Sequence, residues 1–133
     1  MNNPEQDKKA EALINGFMQA LLSGDAGAAA QSVLPFVHKS LLNNSGNSLT
    51  QDLLNFSFKK AHSNAKFYAH PVVISRVAEN KSTGIGFGPT AELGTEFKYW
   101  IDKKPGVNGM PAPLNVFFPA DGGDPKICYM GSL

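Results

Sequence analysis

The stretch SNAKFYAHPVVISRV, residues 63–77, holds three side chains that could do chemistry within an otherwise apolar run. Tyr68 could donate a hydrogen bond and His70 could exchange a proton near neutral pH, and Arg76 adds a charged side chain. In an extended strand the three would share one face, because alternate residues point to the same side. Pro71 cannot donate to a ladder, so it predicts a bulge, an edge or a strand start near it, and His70 would lie near a strand end. We therefore expect His70 to contact a ligand at a pocket mouth, or, in the plainer interpretation, to be a hydrogen-bonded residue at an element end.

Carboxylates are the second candidates for proton transfer. Glu92 and Glu96 lie in a predicted strand region, and Tyr68, Tyr99 and Tyr129 could supply hydroxyl donors. A carboxyl group in an apolar pocket can act as a base on a carbon acid when its environment raises its pKa. No spacing in the sequence selects one of these acids, so the catalytic residue is left open.

Several familiar site patterns are absent from the sequence. His38, His62 and His70 do not have the spacing of a helical zinc pair, and the sequence contains no HExxH. GIGFGP, residues 84–89, is followed by neither the lysine nor the helix of a phosphate-binding loop. The single cysteine, Cys128, lies in the apolar run KICYM and is expected to pack as a small apolar residue. The sequence therefore predicts no metal and no cofactor.

The strand predicted in AELGTEFKYWIDK, residues 91–103, alternates between two kinds of side chain. Phe97, Tyr99 and Ile101 form an apolar face, which is expected to pack on helices. The opposite face carries charged residues around Trp100. A large aromatic side chain among charges is typical of a partner surface. The Trp100 face therefore predicts a homodimer contact, with pocket lining and simple half-burial as the alternatives.

Length and composition limit the classes of partner. The chain has 133 residues, 42% hydrophobic and 17% charged, with a formal net charge of +1. This length suits one domain, residues 1–133, with a core of its own. The low net charge and scattered lysine pairs predict no nucleic-acid partner. No apolar run is long enough to predict a membrane span, and the first residues lack the apolar region of a secretion signal, so we expect a cytoplasmic protein.

Helical patterns come first and strand patterns follow. EQDKKAEALINGFMQALLSGD carries an apolar stripe at helical spacing, and AGAAAQSVL predicts a short helix that Asp25 caps and Pro35 ends. A third helix is predicted from Thr50 to Ala61, and FVHKSLL is predicted as a short edge strand or an irregular link. Four strands then follow, starting in KFYAHPVVISRVAE. This order predicts an α+β fold with N-terminal helices packed on one face of an antiparallel sheet.

The order of elements, with LLSGDAGAAAQSVL at the first helix junction and LNVFFPADGGDPKICYMGSL at the final hairpin, resembles the NTF2-like (SnoaL-like, cystatin-like α+β cone) superfamily. The resemblance in element order covers nearly the whole chain. It implies a curved sheet that wraps a long helix, a cone-shaped pocket between them, and dimers through the outer face of the sheet. Members of this superfamily include isomerase-like and cyclase-like enzymes, dehydratases and transport factors.

The sequence and the resemblance together favour a protein that binds a small apolar molecule in a cone-shaped pocket. The ligand-binding residues are predicted to be Phe17, Phe56, Tyr68, His70 and Phe117. The plain alternative for each of these aromatic residues is core packing. Two other functions are left open: an isomerase-type or cyclase-type enzyme with a pocket His or Glu as proton acceptor, and a homodimeric protein-interaction module.

Overall fold

The structure is a computed structural model that describes residues 4–80, 84–85 and 92–133. Helices precede strands, as the sequence predicts. The helices are α1 (Pro4–Leu21), α2 (Ala26–Ser32), α3 (Gln51–Asn55) and α4 (Ser57–Asn64), and the strands are β1 (Ile74–Asn80), β2 (Gly84–Ile85), β3 (Glu92–Ile101), β4 (Ala112–Pro119) and β5 (Lys126–Tyr129). Short 3₁₀ turns cover Leu34–Phe36, Lys39–Leu41 and Ala65–Phe67. None of the helices within these described ranges is apolar enough over a sufficient length to cross a membrane.

Helix α1 contributes one face to the core. Its apolar stripe places Ile14, Phe17, Met18 and Leu21 at 0% exposure. This burial, more than helix propensity, accounts for the stability of the helix. At its other end, the Tyr99 hydroxyl donates a hydrogen bond of 3.0 Å to Asp7, which joins the first turns of α1 to β3.

The second helix begins where the sequence predicts and ends at Ser32, two residues before the predicted end. Asp25 caps it by accepting a hydrogen bond of 2.8 Å from the backbone N–H of Ala28. Ala29 and Ala30 are buried, so the small side chains of α2 lie against the core. The chain then turns through Leu34–Phe36, where Pro35 is accommodated in a 3₁₀ turn.

The predicted third helix is two helices. Thr50 caps α3 by accepting from the N–H of Leu53, as expected for a threonine at a helix start. Phe56 then adopts φ −126° and ψ −80°, outside the helical region, and α4 begins at Ser57. The break at Phe56 lets α4 bury Phe58 and Ala61 while the Phe56 ring stays 71% exposed.

The sheet is antiparallel, curved and open, with the order β1–β3–β4–β5, and β2 pairs with β3 next to β1. Phe97, Tyr99 and Ile101 lie on the face that packs on the helices, as predicted. Leu114 and Val116 of β4 join that face through their pairing with β3. The outer edge of β5 is not bare, because Val37 forms a parallel bridge to Ile127. The predicted α+β architecture is confirmed, with the helices on one face of the sheet.

The prediction of a continuous strand through KFYAHPVVISRVAE is wrong in its first half, where Tyr68 forms only an isolated antiparallel bridge to Lys103. The strand β1 begins only at Ile74. Ala65–Phe67 is a 3₁₀ turn that continues from α4, and Pro71 has no N–H to give to a ladder. The N–H of Val72 donates instead to the Asn15 side chain of α1, at 2.8 Å. Of the stretch GIGFGP, only residues 84–85 are described, as β2, and the remainder lies outside the described residues.

Candidate functional site

A histidine and a carboxylate meet at one end of the sheet. Nε2 of His38 lies 2.7 Å from Oε1 of Glu92. His38 is only 4% exposed, whereas the Glu92 side chain is 28% exposed. The Lys39 ammonium forms an ion pair with the same Glu92 oxygen, at 3.7 Å. His38 is therefore buried, whereas solvent or a ligand can reach Glu92.

The link between α2 and α3 fixes the position of His38. Val37 bridges to Ile127 of β5, and the N–H of His38 donates to the Ile127 carbonyl at 2.7 Å. The imidazole also caps the 3₁₀ turn Lys39–Leu41, because its Nδ1 accepts from the N–H of Ser40 at 3.0 Å. Backbone pairing and capping thus hold both the main chain and the ring of His38.

Phe117 supports the ring from the sheet side. Its ring packs edge-on against His38, with the centroids 5.2 Å apart. Phe117 is 1% exposed and belongs to β4. Space for it comes from Gly94 of β3, where an added Cβ would lie 2.5 Å from Cζ of Phe117. A glycine on one strand therefore makes room for the aromatic ring that packs under the histidine.

His38, Lys39 and Glu92 line an open pocket of about 420 Å³. Val37, Leu42 and Pro119 give it an apolar part. Its polar wall consists of His38, Lys39, Glu92, Asp121, Asp124 and Lys126. The volume and the mixture of apolar and polar groups suit a small molecule that has an apolar body and a polar group.

Hydrogen bonding assigns the proton on His38. Nδ1 faces the backbone N–H of Ser40, a donor, so Nδ1 must carry the lone pair and Nε2 the proton. The Nε2–H then donates to Glu92, and the Ser40 hydroxyl lies 2.9 Å from Nδ1. This chain of carboxylate, imidazole and hydroxyl could pass a proton. Because the backbone N–H already occupies Nδ1, Glu92 is the better proton acceptor for a ligand.

Two of the predicted ligand-binding residues are in the hydrophobic core. Phe17 and Tyr68 are both 0% exposed and belong to the same core cluster. The Tyr68 hydroxyl is 3.5 Å from the Leu133 carbonyl oxygen, and the Lys103 ammonium lies 4.1 Å from the centre of the Tyr68 ring. Their surroundings are those of packed core residues. Phe117, in contrast, packs against His38, and His38 lines the pocket.

The other two predicted residues lie elsewhere. Phe56 is exposed on the helical side, beside a separate groove with Lys59 and Lys60. His70 is half-buried, and its Nε2 lies 2.9 Å from the Ala65 carbonyl, to which it donates. Its Nδ1 is buried without a partner among the described residues. The structure thus gives His70 the surroundings of a hydrogen-bonded residue before a strand, and it does not bring the five residues to one site.

Trp100 lies on the face of the sheet away from the helices. It is half-buried, and the Arg76 guanidinium of the neighbouring strand lies 4.5 Å from the centre of its ring. Arg76 and Trp100 are paired across β1 and β3. The stacked cation explains how a large aromatic side chain is accommodated among charged residues.

A polar cluster forms a second notable feature, on the β3–β4–β5 sheet. Asn115, 7% exposed, donates through Nδ2 to Glu96, and its Oδ1 has no partner among the described residues. Burial, and then the nearby Glu96 carboxylate, raise the pKa of the Cys128 thiol far above its ordinary value. The thiol is therefore protonated at neutral pH and is a poor nucleophile. This supports a packing role for Cys128.

The His38–Glu92 pair is the feature that sequence reasoning missed. Glu92 was a candidate base, but nothing assigned His38 to it, because the two residues are 54 positions apart. One local signal exists: a histidine two residues before Ser40 can accept from its backbone N–H and cap a turn. That signal predicts a fixed imidazole but not its partner. Among the described residues, no group of three His, Cys, Asp or Glu side chains could hold a metal ion.

Comparison of the chain with protein-family models, with curated proteins and with solved structures gives no match. The function is therefore inferred from the geometry of the site.

Proposed function

We propose that this chain is an NTF2-like domain that binds a small molecule in the pocket beside His38 and Glu92. The observation that carries the proposal is the nearly buried imidazole, hydrogen-bonded through Nε2 to Glu92, in the wall of a cavity of about 420 Å³. A few fixed polar groups in a partly apolar cavity are the usual composition of a ligand site. The order of helices and strands supports the superfamily assignment.

The described core favours this pocket over an apolar cone between the helices and the sheet. Side chains from both layers, including Phe17, Leu21, Tyr99 and Leu114, have 0% exposure and fill that space. A ligand there would have to displace well-packed side chains. The open pocket needs no such rearrangement. We therefore expect a ligand whose apolar part lies against Leu42 and Pro119 and whose polar group reaches Glu92.

Native mass spectrometry of the purified protein tests this proposal. The expected result is a co-purified small molecule that is released when the protein is denatured. Leu42→Trp should fill the pocket and abolish the bound mass, whereas Met110→Trp, at an 83% exposed position outside the pocket, should retain it. A ligand retained equally by both variants would place binding elsewhere and contradict the proposal, as would a protein that is always empty.

A second candidate function is proton transfer, in an enzyme of the isomerase or cyclase type. The observation that favours it is the chain from Glu92 through His38 to the Ser40 hydroxyl, with distances of 2.7 and 2.9 Å. In such an enzyme the Glu92 carboxylate would accept a proton from a carbon next to a carbonyl group, and His38 would orient the carboxylate.

Hydrogen exchange tests the enzymatic alternative. The protein is incubated in D₂O with small cyclic ketones, and NMR follows the loss of the protons next to the carbonyl. Catalysed exchange that Glu92→Gln abolishes while Asp124→Asn, on the same pocket wall, retains it would support the enzyme. Exchange at the same rate in all three proteins would exclude Glu92 as the base.

A further inference from the structure

The helix α4 and the turn after it present an unusual exposed face on the side of the molecule that the pocket does not use. We define the α4 basic face as Phe56, Lys59, Lys60, Ser63, Lys66 and Phe67. Every one of these residues is exposed, and they recur at helical spacing. The residues between them that turn inward, such as Phe58, Ala61 and Ala65, are buried. The face is therefore a row of three lysines with a phenylalanine at each end.

The charge of this face is of one sign. Residues 53–78 contain three lysines and one arginine but no aspartate and no glutamate. Among the described residues, Lys59, Lys60 and Lys66 lie in no ion pair with a carboxylate, and Lys60 donates a hydrogen bond of 3.4 Å to the Gly131 carbonyl. Because the whole chain has a net charge of only +1, this face is a local positive patch. The expectation that no nucleic acid binds rests on the low net charge and on the scattered lysine pairs, whereas Lys59, Lys60 and Lys66 lie together on this one face.

The patch also contains a concave surface with an aromatic wall. A groove of about 530 Å³ runs beside Phe56 and is lined by Lys59, Lys60 and the hydroxyl residues Ser57 and Ser63. The Phe56 ring is 71% exposed, although an exposed phenylalanine gains nothing from the core. At the other end, Phe67 is 37% exposed and lies next to Lys66, whose ammonium is 5.3 Å from the ring centre.

We propose that the α4 basic face binds single-stranded nucleic acid, with a base stacked on Phe56 and the phosphates held by Lys59, Lys60 and Lys66. Surfaces that bind single-stranded nucleic acid combine exposed aromatic rings with lysines. The rings stack on the flat faces of the bases, and the lysines contact the negatively charged phosphates. A duplex would hide the base faces from the ring. A bilayer rewards buried apolar area, which a concave groove with two serines and only two phenylalanines supplies poorly.

Fluorescence anisotropy with labelled oligo(dT) and oligo(U) of about twelve nucleotides tests the proposal. Three phosphate contacts predict a slope of about −2 in the logarithm of affinity against the logarithm of salt. Phe56→Ala should lower the affinity roughly 5- to 150-fold. The double change Lys59→Gln with Lys60→Gln should weaken binding and flatten the slope. The matched control, Lys8→Gln with Lys9→Gln, removes the same charge from exposed positions on α1 and should leave binding unchanged.

Several results would overturn the proposal. Equal weakening by the two double variants would show general attraction of a polyanion. Binding of duplex as tight as that of single strands, complete competition by poly-glutamate, or binding only to phosphatidylserine vesicles would each show a different partner. Circular dichroism checks that the variants fold, and Phe67→Ala provides a second aromatic test: loss of affinity there supports the extended face. This proposal is independent of the pocket at His38, because Leu42→Trp should not change oligonucleotide binding.

Discussion

Nε2 of His38 and Oε1 of Glu92 lie 2.7 Å apart, although the residues are 54 positions apart in the chain. The contact joins the link before α3 to the first residue of β3, and it lies in the wall of the candidate pocket. The contribution of this contact to stability can be measured separately from its role in ligand binding, as the change in the free energy of unfolding when Glu92 is replaced.

Glu92→Ala should lower the free energy of unfolding by roughly 1–3 kcal/mol, because the nearly buried Nε2–H of His38 would lose its acceptor. Glu92→Gln keeps an acceptor oxygen and should cost less. Urea unfolding at neutral pH measures both. The control is Glu79→Ala, at an exposed carboxylate on β1, which should change stability little. An alanine variant as stable as the wild type would show that the pair contributes nothing to the fold.

Phe17→Ala should destabilise the protein by roughly 3–5 kcal/mol, because it opens a cavity in the core. Phe56→Ala should change stability by no more than about 0.5 kcal/mol, since its ring is exposed. Both phenylalanines were predicted ligand contacts, and thermal or urea unfolding distinguishes their places in the fold. Similar losses for the two variants would contradict the difference in exposure, which is 0% for Phe17 and 71% for Phe56.

Gly94→Ala should be strongly destabilising. The added Cβ would meet the Phe118 carbonyl oxygen and the Phe117 ring, so β3 and β4 would have to move apart. Since Phe117 packs against His38, the same change should also weaken ligand binding. The matched control is Gly27→Ala in α2, where the nearest atom is 3.5 Å away and alanine favours the helix by roughly 0.5–1 kcal/mol. Equal stability of the two variants would refute the close approach at Gly94.

Stability should fall as the pH rises above about 9, the ordinary pKa of a cysteine thiol. Burial raises the pKa of Cys128 in the folded state, so the folded protein keeps a proton that the unfolded chain releases. The linked stability is complete below the unfolded pKa and is lost at up to about 1.4 kcal/mol per pH unit above it. Burial and the Asp7 hydrogen bond raise the pKa of Tyr99 as well, which adds a further loss above about pH 10.

Urea unfolding between pH 7 and pH 10 measures this slope. Cys128→Ser should flatten it between pH 9 and pH 10. Met130→Val, a packing change at a buried position without a titrating group, should lower stability at every pH and keep the slope. A Cys128→Ser protein with an unchanged slope would mean that the thiol is not the group responsible.

We expect a dimer through the outer face of the sheet, and Trp100→Glu should convert it to a monomer. A carboxylate there would leave Arg76 without its aromatic contact and place a charge in the middle of the interface. Light scattering coupled to size-exclusion chromatography measures the mass. Met110→Glu, at an exposed position off the strands, is the control and should remain dimeric. A wild-type monomer at high concentration would refute the interface.

The layers of this protein follow from local patterns in its sequence. The apolar stripe of α1 and the alternation of Phe97, Tyr99 and Ile101 in β3 are local periodic patterns, and each element buries the face that its pattern indicates. Asp25 likewise determined the start of α2, because a cap acts on a backbone N–H three residues away. Such signals can be read from sequence since the interacting groups are neighbours in the chain.

The positions of the candidate sites, in contrast, depend on contacts between segments that are far apart in the chain. The break at Phe56 separates α3 from α4 and leaves an aromatic ring in solvent beside two lysines. Before β1 begins, the N–H of Val72 donates to the Asn15 side chain of α1, a contact between residues 57 positions apart. The pairing of His38 with Glu92 depends on how the 36–42 segment lies along β5 and across β3. These contacts join distant segments, and no periodic pattern within either segment specifies the other.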